Sequence, residues 1–85
     1  MYTTYILYST LLDKYYIGFT ADDIKCRIDK HLANHRGFTG KAKDWKLVFH
    51  ELYKTKQEAM QREKQIKGWK SSLRIKELIL RSSTD

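Results

Sequence analysis

Hydrophobic and polar positions along the chain alternate in two early stretches and then change to helical spacing. From Thr3 to Ser9, Tyr5 and Leu7 fall on one side, with Thr4, Ile6 and Tyr8 on the other, as in a β-strand. Thr10 to Lys14 is a short link whose most turn-like part is Asp13-Lys14. Tyr15 to Thr20 predicts a second strand, with Tyr16 and Gly18 on one face and Tyr15, Ile17 and Phe19 on the other. The short link predicts an antiparallel hairpin. Gly18 contributes no packing side chain, so it marks a bulge or a place where another group comes close.

Helical spacing begins after Thr20. Ile24, Ile28 and Leu32 recur every four residues, which predicts a helix over 21–34 with Arg27, His31 and His35 on or beside its buried stripe. Asp22 and Asp23 complement the N-terminal dipole, and Gly37 is a stop. A basic loop, Arg36 to Asp44, leads to a third strand from Trp45 to Tyr53. Thr55 with Glu58 three residues on is a capping box for a helix from Lys56 to Lys67, which Gly68 ends. Ser71 or Ser72 then caps a last helix. The order is ββαβαα, an α/β (α+β) class fold: a three-stranded, mainly antiparallel sheet flanked by about three helices.

Composition narrows the class. Eighty-five residues make one domain, 1–85, and the 41% apolar content is that of a globular chain. A single cysteine, Cys26, excludes a disulfide framework and fits a reducing compartment. The N-terminus resembles no secretory signal and no apolar run is long enough to span a membrane, so a cytoplasmic protein with no membrane partner is expected. Seventeen Lys and Arg against ten Asp and Glu give a net charge of +7, the footprint of a domain that attracts polyanions.

The chemistry-bearing residues are few. In the helix from Lys56 to Lys67, Glu63 shares the face of Ala59 and Ile66. A carboxylate there is paired with a nearby lysine, snorkels at the helix edge or holds a metal ion. Arg27 and His31, four apart, share a helical face. Zinc is not expected: there is no CxxC pair, and His31 and His35 lack the glutamate of an HExxH site. Trp69 is a core aromatic or a base-stacking platform.

Taken in order, Tyr5-Ile6, Tyr16-Ile17-Gly18, Arg27, His31 and Glu63 resemble the GIY-YIG nuclease superfamily. The likeness is to its small stand-alone, single-domain type, related to the N-terminal nuclease domain of the excision-repair excinuclease. It runs from about Thr3 to Leu80. Two departures stand out: Thr3 or Thr4 replaces the glycine of the first motif, and Phe19 replaces the lysine that follows the second motif in the excinuclease members.

The resemblance implies the GIY-YIG nuclease fold and a metal-dependent endonuclease that hydrolyses phosphodiesters in DNA, branched or nicked, in repair or recombination. It implies that Glu63 holds Mg2+ (or Mn2+), that Arg27 clamps a phosphate oxygen, and that Tyr5 or Tyr16 activates water with His31 as proton partner. An ordinary tyrosine, with a pKa of about 10, is a weak base at neutral pH, so Arg27, His31 and the metal would have to lower it. Gly18, Arg36, Lys41, Lys43, Lys46 and Lys67 are the expected DNA contacts. The alternative is a non-catalytic nucleic-acid-binding module that retains the fold. Either a monomer or a homodimer is compatible with the sequence.

Overall fold

A computed structural model of the chain describes residues 1–21, 24–26 and 44–82. Three strands, β1 (Tyr2–Ser9), β2 (Lys14–Thr20) and β3 (Lys46–Tyr53), form one antiparallel sheet in the order β2-β1-β3. Helical conformation begins at residues 24–26, α1. Two further helices, α2 (Lys56–Gly68) and α3 (Ser72–Ser82), complete the ββαβαα order. The expected fold is therefore the observed one, with β3 starting at Lys46 because Trp45 turns into the core just before it.

β1 is the central strand, and both its faces are covered. Its even positions build one cluster, in which Ile6 and Ile17 meet Phe49 and the helix residues Ile66 and Ile75. Its odd positions build a second, in which Tyr5 and Leu7 meet Trp45, Tyr16 and Ile24. α2 and α3 thus cover one face, and α1 begins on the other. The β1–β3 register shifts between Ile6 and Leu7, pairing Ile6 with Phe49 and Leu7 with Leu47. Val48 is the extra residue of this bulge, and it joins Phe49 against the cluster under the helices.

Polar groups fix how α2 lies on the sheet. The buried Thr4 hydroxyl donates to the Ala59 carbonyl at 2.8 Å, tying the middle of β1 to the first half of the helix. Arg62 Nε donates to Glu51 Oε1 at 2.9 Å, which fixes α2 to β3, and its Nη1 donates within the helix to Gln65 Oε1 at 2.8 Å. Tyr53 donates to the same Glu51 oxygen at 2.8 Å, and burial together with that carboxylate raises its pKa. At the helix start, Thr55 Oγ1 accepts from Glu58 N at 3.2 Å and donates to the Glu58 carboxylate at 2.9 Å. The capping pair is present, closed through the hydroxyl.

Among the described residues, Asp13 in the hairpin turn and Lys70 after α2 have left-handed backbone. Gly68 is the last residue of α2, but the residue that turns the chain out of the helix is Lys70, at φ 49°. Nothing would meet a side chain at Gly68, so glycine is not required there. A lysine in the left-handed region carries about 1 kcal/mol of backbone cost. Lys70→Asn is therefore expected to stabilise the protein by about 1 kcal/mol, raising Tm by roughly 4–8 °C in thermal unfolding.

The hairpin turn is held from a distance. Asp44, just before β3, accepts from Ser9 Oγ at 2.6 Å and from Leu11 N at 2.8 Å, while Leu12 N donates to Ser9 Oγ at 3.1 Å. The Ser9 hydroxyl, then the Leu11 amide, hold the Asp44 carboxyl below the usual carboxylate range. A carboxyl lowered in the folded state contributes stability above its unfolded pKa, about 4, and loses it as pH falls through the folded value. Asp44→Asn should therefore lower Tm at pH 7 and lose that deficit progressively below about pH 4. Melting curves of both proteins across that range check it.

Candidate active site

Tyr5 and Tyr16 come together on the sheet face where α1 begins. Tyr5 lies opposite Gly18 across the β1–β2 ladder, and Tyr16 lies opposite Leu7. The two rings stand 6.4 Å apart at an interplanar angle of 33°. Tyr5 is fully buried. A methyl group at Gly18 would sit 2.7 Å from Tyr5 Oη, 2.9 Å from its Cζ and 3.2 Å from Tyr16 Cε1. The close approach that the glycine serves in the described structure is internal, to the phenol of Tyr5.

Gly18 and Tyr5 act as one unit. Because Gly18 is in the middle of a strand, its smallness, not an unusual φ, is what the site uses. Thr3 and Thr4, one of which stands where the resembled first motif has glycine, are both buried, and the Thr4 hydroxyl holds the Ala59 carbonyl.

Glu63 enters from α2, on the opposite face. Its side chain is 16% exposed, and Oε2 lies 3.7 Å from Lys67 Nζ, one helical turn on. The lysine-pairing reading of this carboxylate is the one present. The pair is long, and the lysine side chain is 53% exposed, so it can be exchanged for another cation at little cost. Among the described residues no group of three His, Cys, Asp or Glu converges. A lone carboxylate fits a hard ion such as Mg2+, which keeps several waters and takes further oxygens from phosphate.

Other assigned residues sort clearly. Lys46 is exposed at the start of β3, and Lys67 is exposed on α2. Arg27, His31, Arg36, Lys41 and Lys43 lie outside the described residues. Trp69 packs against the core cluster, with the guanidinium carbons of Arg62 and Arg74 at 5.8 and 5.0 Å from its ring centroid, so its ring already has partners. Tyr8 is excluded as a base: its hydroxyl donates to Asp13 Oδ1 at 2.5 Å, and that bond pushes its pKa up to about 12.

His50 lies opposite Tyr5 across the β1–β3 ladder and is exposed, which puts an imidazole in the cross-strand row of Tyr5 and Gly18. Only the register of two distant strands reveals it, and no local spacing carries that signal.

The model of the GIY-YIG catalytic domain family matches residues 1–77. The chain belongs to this family. Its fold is similar to that of the UPF0213 protein BH0048 from Bacillus halodurans, solved by NMR in solution, with a TM-score of 0.54 and 28% identity over 98% of this chain and 86% of that one. No curated protein matches the sequence. Family membership places the chain in a nuclease superfamily, with nucleic acid as its substrate class and divalent metals as its general cofactors. No helix among the described residues is long and apolar enough to cross a membrane.

Proposed function

We propose that the protein is a divalent-metal-dependent endonuclease that hydrolyses phosphodiesters in DNA, with branched or nicked structures in repair or recombination as its substrates. The observation that carries this reading is the seating of Tyr5 on Gly18 beside Tyr16. A buried phenol held between a strand glycine and a second tyrosine is a preorganised hydroxyl, not a surface aromatic.

Hydrolysis needs a group to position and deprotonate water, positive charge on the phosphate oxygens, and help for the leaving oxygen. Tyr16, with Tyr5 behind it, orients the attacking water, and His31 takes the proton onward. Arg27 holds a non-bridging oxygen through its planar fork. Glu63 would hold the cation through its one carboxylate. When bound, a divalent ion neutralises charge on the phosphate and on the departing oxygen. The +7 chain supplies the long-range attraction, with Lys46 and Lys67 among the contacts.

Purified protein incubated with labelled nicked, forked and four-way DNA in Mg2+ or Mn2+ tests the reading. Cleavage that stops in EDTA is expected. Intact DNA of every structure in both metals would leave only a binding module with the same fold.

A further inference from the structure

A groove of about 410 Å³ runs between edge strand β2 and the junction of α2 with α3. The half-buried Tyr15 gives it an apolar floor backed by the buried Ile17, Ile66 and Ile75, and Lys14, Lys67 and Lys70 give it a cationic rim. Its volume is within the range of small-ligand sites, roughly 300–1,000 Å³, which share this apolar body with a few polar groups at the edge.

The groove borders the α2 side of the candidate active site. Tyr16 is among its lining residues, and so is Lys67, the partner of Glu63. Its floor residues Tyr15 and Ile17 alternate with Tyr16 along β2, so the groove lies on the face that α2 and α3 cover. Resting on the DNA reading above, we propose that this groove holds one unpaired nucleotide next to the phosphate to be cut, with its base on the floor and its phosphate at the lysine rim.

Charge and shape both favour this occupant. Asp13 is the one acidic lining residue among the described residues, and its Oδ1 already accepts the Tyr8 hydroxyl. The rim is thus set for an anion. The first turn of α3, where Ser71 Oγ accepts from Arg74 N, adds the positive end of a helix dipole. Lys70 keeps a left-handed backbone where Asn or Gly would cost less, so the fold alone does not call for a lysine there. A duplex hides the faces of its bases, and only an unstacked base can lie flat against Tyr15, which Tyr8 backs at 4.8 Å. The substrate class that follows is DNA with an unpaired nucleotide at the cleavage point, as at a flap, gap or fork.

Binding in EDTA separates this inference from the nuclease reading. Short oligothymidylate should bind about tenfold tighter than an abasic strand carrying the same number of phosphates. Thymidine monophosphate should shift the NMR signals of Tyr15, Ile17, Ile66 and Ile75. Ser72→Glu puts a negative charge at the groove mouth and suits the first turn of α3, so Tm should not fall. That variant should lose about tenfold in affinity for thymidine monophosphate. Equal binding of the base-bearing and abasic strands, shifts mapping elsewhere, or unchanged affinity in Ser72→Glu would each overturn the groove assignment. Base-dependent binding without cleavage in Mg2+ would keep the groove and remove the nuclease; cleavage without base dependence would do the reverse.

Discussion

Glu63→Gln is expected to lower the rate of Mg2+-dependent DNA cleavage by about a thousandfold or more while leaving the fold intact. The two halves of this expectation rest on different observations. Stability is spared because the carboxylate's described partner is Lys67 at 3.7 Å, one turn along the same helix and half exposed. Such i, i+4 pairs contribute only about 0.3–0.5 kcal/mol, and the amide is nearly the same shape. Activity is not spared, because Glu63 is the one carboxylate of the assigned set, and an amide offers a neutral oxygen where the cation needs a charged one. The readout is a nicking assay beside a thermal melt. A variant that melts normally and still cuts at the parent rate would remove Glu63 from the chemistry. Lys67→Ala is the control, since it removes the competing ammonium and keeps the carboxylate; it should tighten the Mg2+ dependence and weaken DNA binding only slightly.

Much of this was legible in the sequence, and the parts that were not share a cause. The alternation from Thr3 to Ser9 placed Tyr5 and Leu7 on one face and Ile6 on the other, and the two core clusters divide the same way. Thr55 and Glu58 marked the start of α2, and Ala59 with Ile66 marked its buried side. These signals are local, carried by neighbours three or four residues apart. The unread features depend on register between distant segments. Nothing near Gly18 in the sequence says that Tyr5 lies opposite it, nor that His50 lies opposite Tyr5. The same holds for Arg62 reaching Glu51 across eleven residues, and for Asp44 holding the turn at Ser9 and Leu11. Lys70 was unreadable for another reason: left-handed backbone normally announces itself with Gly or Asn, and here the glycine two residues earlier drew the assignment.

Gly18→Ala should be the most damaging single-methyl change in the described structure. A methyl placed on this residue meets Tyr5 Oη at 2.7 Å and Cζ at 2.9 Å, closer than real side-chain carbons approach one another. Neither neighbour has an easy retreat. Tyr5 is fully buried on the central strand, and Tyr16, 3.2 Å from the added methyl, closes the other side. Overpacking of this kind costs about 1–3 kcal/mol, which for a domain of this size lowers Tm by roughly 5–20 °C. A purely backbone role for the glycine predicts the same loss whatever stands at position 5; a seat for the phenol predicts coupling between the two positions. Tyr5→Phe removes the oxygen that makes the shortest contact, so in the Gly18→Ala background it should return part of the lost Tm, whereas alone it should cost stability. The double-mutant cycle measures this directly, with an expected coupling of about 1 kcal/mol in the restoring direction. Cleavage by Gly18→Ala should fall even at temperatures where the protein is fully folded, because the displaced Tyr5 no longer supports Tyr16. Additive stabilities in the cycle, or full activity in the folded Gly18→Ala protein, would show that the two tyrosines do not depend on this seat.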